Sequence, residues 1–159
     1  QHAMKVRRLH RRTAALLALA LWLPASAATY RVDDTGTYTS QPTTQMRWRQ
    51  LAPGRAGDHT VEGRVTVALR LNLSPWLNRP ARLYMSLAPT EGEQMVAIWR
   101  TQGRLQPGTV RGGGRTLVFD GVVRDPFLQE SIVLELMADG RTLERAQSLQ
   151  FFFEIEVTP

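Results

Sequence analysis

The chain contains no cysteine. That one absence excludes a disulfide-stapled scaffold, Cys-His catalysis, a thiolate zinc site and a lipid anchor on cysteine. Histidine is nearly as scarce, since His2 and His10 lie in the first ten residues and His59 is the third. Ser-His-Asp catalysis would therefore rest on His59 alone, and nothing around Asp58-His59-Thr60 resembles a nucleophile elbow or a metal-binding helix. We read His59 as a surface residue. Helical periodicity, internal repeats and long apolar runs are missing as well. The apolar stretch from Thr13 to Ala28 is interrupted by Pro24 and is shorter than the roughly 18–20 residues a membrane span requires.

What the N-terminus does contain is the three-part pattern of a secretory signal peptide. Gln1-His2-Ala3 read as a cloning-tag remnant before a natural start at Met4. Lys5–Arg12 supply the positive segment, Thr13–Leu23 the apolar segment, and Pro24-Ala25-Ser26-Ala27 the small-residue end, so cleavage is expected after Ala27. The expected organisation is a leader over 4–27 and a single domain over 28–159, located in the periplasm or outside the cell, with no stable membrane insertion after cleavage. The leader also explains the charge. The chain has 20 basic and 14 acidic residues, but Lys5, Arg7, Arg8, Arg11 and Arg12 all precede Ala28 with no acidic residue among them. The remainder carries 15 basic against 14 acidic side chains, and the usual inference from a basic chain to nucleic acid loses its basis.

The rest of the chain alternates like β-structure. Val61, Val65, Val67, Leu69, Leu71 and Leu73 share one face with Gly63, which suggests a long strand that bends and serves two sheets. Ala81–Leu87, Gln94–Thr101 and Arg115–Val123 read as shorter strands, and Tyr30 and Val32 as a short first one. Met46 and Trp48 alternate with Arg47 and Arg49, which predicts a buried Trp48. In the C-terminal run, Asp139-Gly140 is a type I′ turn signal, so Ser131–Leu136 and Leu149–Val157 are expected to form a hairpin. In its second arm Leu149, Phe151, Phe153, Ile155 and Val157 face one way and Gln150, Phe152, Glu154 and Glu156 the other. Seven or eight strands with frequent turn signals predict an all-β antiparallel sandwich, immunoglobulin-like, with a small β-barrel as the alternative.

Few groups carry chemistry, and no cofactor site is expected. The Asp33-Asp34 pair before Gly36 lacks the acidic spacing of a calcium loop. Gly112-Gly113-Gly114 lacks the Lys-Ser/Thr end of a phosphate loop and leads into a strand. Asp120, Asp125 and Glu130 are the one carboxylate group to test, although turns and solvated faces explain them more simply. We therefore expect no enzyme but an exported interaction module of the cell envelope, an accessory or chaperone-like factor binding a protein through an edge strand. Phe152, which breaks a polar face, marks the site together with Gln150 and Glu154. Glu154 and Glu156 read also as gatekeepers against aggregation of the aromatic segment. The alternative is carbohydrate binding by exposed aromatics, with Trp76 in its proline-bounded loop foremost.

Overall fold

A strand with one apolar face must bury it, and two such faces bury each other. The computed structural model describes residues 26–40, 46–49, 57–89, 95–141 and 150–158, and within them the alternation is resolved into ten strands. In chain order these are β1 (Ala28–Arg31), β2 (Tyr38–Thr39), β3 (Arg47–Trp48), β4 (Thr60–Asn72), β5 (Pro80–Leu87), β6 (Val96–Thr101), β7 (Gly108–Arg111), β8 (Arg115–Val122), β9 (Phe127–Asp139) and β10 (Phe151–Val157). Most of the expected leader lies outside the described residues. The count exceeds the expected seven or eight because β2 and β3 are two-residue strands, too short for any periodic signal.

The strands form two antiparallel sheets, one of four in the order β1-β10-β5-β8 and one of six in the order β2-β4-β9-β6-β7, with β3 also paired to β4. Leu83, Met85, Val118, Phe153 and Ile155 from the first sheet meet Val67, Leu71, Trp99, Ile132 and Leu134 from the second in one core. Each of these large side chains contributes roughly 1.5–3 kcal/mol by leaving water. Trp99 satisfies its indole N–H by donating to the Gln106 carbonyl at 2.9 Å. The all-β antiparallel sandwich is thus the observed fold class.

Three expectations are corrected. β4 does not serve two sheets; it pairs with β9 without interruption from Thr60↔Asp139 to Asn72↔Phe127. Asp139-Gly140 is no hairpin turn, because β9 and β10 lie in different sheets. Among the described residues positive φ falls at Gly36, Asn78 and Gly113, and Gly140 instead donates its N–H to the His59 carbonyl at 2.9 Å, extending the β4–β9 ladder. Third, β10 is flanked by β1 and β5 and is an interior strand, not an edge. Alternation reports which face a residue occupies and is blind to which strand lies beside it.

The glycine triplet forms the β7-to-β8 connection and ties the two sheets together. Gly112, Gly113 and Gly114 donate their N–H groups to the carbonyls of Met95 (3.0 Å), Leu87 (2.9 Å) and Arg111 (2.9 Å). All three amides are engaged with backbone oxygens, and Gly113 takes the positive φ of 78° that glycine tolerates.

Candidate functional site

The outward face of the four-stranded sheet is built from the residues that alternate with the core. On β10 these are Phe152, Glu154 and Glu156, opposite Ser86, Tyr84 and Arg82 of β5. A row of reciprocal contacts follows. Ser86 Oγ donates to Glu154 Oε2 at 2.9 Å, and Tyr84 Oη donates to Glu156 Oε2 at 3.1 Å. Arg115, at the start of β8, donates to Glu156 Oε1 at 2.6 Å while its guanidinium lies 4.2 Å from the Tyr84 ring centroid. The Arg115 bond, reinforced by Tyr84, holds the Glu156 carboxyl below the usual carboxylate range, and burial together with the Glu156 acceptor raises the Tyr84 phenol. Glu154 and Glu156 therefore hold this face together, beyond the gatekeeper part expected of them.

Phe152 is half-buried, with the Arg31 guanidinium 4.4 Å from its ring centroid. Gln150 is exposed one residue before β10. By alternation Gln150, Phe152 and Glu154 project to the same face of the four-stranded sheet. Trp76 does not join them. It closes the 3₁₀ turn Ser74–Trp76, is only 9% exposed, and packs its ring 5.9 Å from that of Tyr30. The proline-bounded segment turns its indole inward to cap the core, so the expected exposed ring is corrected. Trp48 is corrected the other way, being 44% exposed at a sheet end where its ring lies over Gly140 and Val61.

β10 is covered by β1 only in part. β1 pairs with Glu154–Val157, and Val32 N donates to the Phe153 carbonyl at 2.9 Å before the chain crosses to the other sheet, where Asp33 bridges Asn72. Gln150 O points toward β5, where it accepts from Ala88 N at 2.9 Å. Because backbone groups alternate in direction along a strand, those of Phe151 point to the β1 side. No strand faces them among the described residues.

The three carboxylates grouped by sequence each have a partner, and Asp125 and Glu130 meet different groups of one residue, Arg104. Asp120 pairs with Arg82 at 3.3 Å, and Asp125 pairs with Arg104. Glu130 accepts the backbone N–H of Arg104 at 2.8 Å and of Leu105 at 3.3 Å, pinning the loop after β6. Each carboxylate has its own cation or amide, so they do not form a facing acid–base pair. Asp33 likewise caps its turn, accepting Thr35 N at 2.9 Å.

A cleft that sequence reasoning missed lies on the outward face of the six-stranded sheet. This cleft of about 560 Å³ is lined by Arg49, His59, Val96, Arg111, Met137 and Arg141 among others. Its residues come from β3, β4, β6, β7 and β9 and their ends, so no local motif announces it. His59 is a half-buried wall of this cleft. Arg49 is held between Asp58 (3.4 Å) and Glu62 (3.2 Å), and the Glu62 bond first, then its charge, raises the Arg49 pKa. Arg141 grips Asp139 at 2.6 Å, and that side-chain bond with the Arg141 backbone N–H lowers the Asp139 carboxyl to about 2.

No protein-family model matches the chain, and no curated protein matches it.

Proposed function

We propose that this chain is an exported, non-catalytic interaction module of the cell envelope, an accessory or chaperone-like factor with an immunoglobulin-like sandwich. It meets a protein partner on the outward face of the four-stranded sheet, at Gln150, Phe152 and Glu154. The observation that carries this reading is the Phe151–Phe152 stretch of β10, which has no strand on its β1 side among the described residues and carries a half-buried phenyl ring. An extended segment of the partner would continue the line of β1, bonding the Phe151 backbone while a side chain packs on Phe152. Burial of Trp76 removes the ring on which carbohydrate binding chiefly rested.

The test uses the chain from Ala28 onward, crosslinked in an envelope extract of its host, beside Phe152→Asp and Arg82→Ala variants of unchanged thermal unfolding. A single captured protein, lost with Phe152→Asp and retained with Arg82→Ala, is the expected result. Equal capture by all three, or none by the parent, would end the proposal for this face.

A further inference from the structure

The cleft on the six-stranded sheet is independent of the Phe152 face, and its side chains are ordered by strand register. Arg111 on β7 stands opposite Val96 on β6, and Val96 stands opposite Met137 on β9. Paired residues project to the same side of a sheet, so Arg111, Val96 and Met137 form one row across three strands. Neighbouring strands lie about 4.8 Å apart, which makes the row roughly 10 Å long. One end is a guanidinium and the rest is a thioether and an isopropyl group.

The three cations of the cleft are not equivalent. Arg49 is committed to Asp58 and Glu62, with its Nη2 3.1 Å from the Met137 sulfur, and Arg141 is committed to Asp139. Arg111 is exposed and makes no ion pair or side-chain hydrogen bond among the described residues. Its fork matches a carboxylate in two-point geometry. Met137 supplies an adaptable apolar floor, as unbranched thioethers do.

We propose that this cleft binds a small amphipathic carboxylate, about 10 Å from end to end, with its head on Arg111 and its apolar tail laid across Val96 and Met137. Charge complementarity selects the head, and the length of the row selects the tail. Neutral alcohols of the same length and short carboxylates each satisfy half of the site and bind more weakly.

The probe is octanoate, titrated into the isotopically labelled chain, with octanol and acetate as controls, while the amide signals of Val96, Arg111 and Met137 are followed. Octanoate is expected to shift all three saturably, and acetate and octanol to need at least about tenfold higher concentration, the scale of one charge-assisted contact. Arg111→Ser should weaken octanoate about tenfold, and Arg111→Lys should restore part of the loss. Arg111 is on the surface, and an unchanged spectrum elsewhere verifies the fold of each variant. Octanol binding as tightly as octanoate, an Arg111→Ser titration identical to the parent, or no saturable shift would each overturn the proposal. None of these outcomes bears on Phe152, which lies on the other sheet.

Discussion

Glu130 carries the sharpest stability prediction, because it belongs to a sequence group whose members the fold assigns to different tasks. Its carboxylate accepts two backbone N–H groups, Arg104 at 2.8 Å and Leu105 at 3.3 Å, and so fixes a loop whose Leu105 is buried. The same loop closes through Leu105 O, which accepts from Thr101 Oγ1 at 3.0 Å. Hydrogen bonds to a charged group are worth about 1.5–3 kcal/mol each when buried, and the Arg104 amide is exposed enough to regain water. Glu130→Ala should therefore cost about 2 kcal/mol, most of it from the Leu105 amide. For a domain of this size that is roughly 6–8 °C in Tm. Glu130→Gln keeps an acceptor oxygen and should lose about half as much. Asp120→Ala and Asp125→Ala remove surface ion pairs only and should stay within about 0.5 kcal/mol of the parent. Urea unfolding with unchanged m-value is the assay. A Cβ at Gly103 would run into Glu130 Oε2, so Gly103→Ala breaks the same clamp, and the double variant should lose less than the sum of the two. Glu130→Ala as stable as the two aspartate variants would refute the reasoning.

Two further outcomes follow from the six-stranded sheet. The Asp139 carboxyl, ordinarily 3.8, is lowered to about 2 by Arg141, so its contribution to stability is fully present above the ordinary value and disappears as pH falls through the folded one. The stability gap between the parent and Asp139→Asn should thus be constant near neutrality and shrink between about pH 4 and pH 2; a gap unchanged in urea midpoints at pH 2 would dismiss the Arg141 contact as its source. A Cβ at Gly140 would collide with the Trp48 ring and sit 2.7 Å from Val61 Cγ1. Gly140→Ala should displace the indole, red-shift tryptophan emission and cost about 1–2 kcal/mol, with Trp48→Phe relieving part of the cost. An unaltered emission spectrum would show that the ring does not rest on that glycine.

The apolar alternation was legible where strands are long. Val61–Leu73 anticipates β4 to within one residue at each end, and the alternate residues Phe153, Ile155 and Val157 are buried as their spacing demands. Neighbours were not legible. Strands facing each other across a core show the same alternation as strands side by side in a sheet, so Asp139-Gly140 looked like a hairpin between β9 and β10. Single aromatics misled for a related reason. Trp76 lies in a polar, proline-bounded segment but turns into the core, whereas Trp48 falls in an alternating stretch that occupies a sheet end. The cleft was beyond reach, because Arg111, Val96 and Met137 meet only through the register of β7, β6 and β9.

The placement of β10 has a consequence for the order in which the molecule assembles. The four-stranded sheet has Phe151–Val157 between β1 and β5, so residues 28–31 find their partners more than a hundred residues later. Such distant pairing is slow, because loop-closure entropy is lost before any contact repays it. β1 waits for β10, and until β10 is made one edge of β5 lacks the strand that pairs with it. A polypeptide built this way stays unlocked until its tenth strand is available. The same delay makes the aromatic segment Phe151–Phe153 the part of the four-stranded sheet that is covered last.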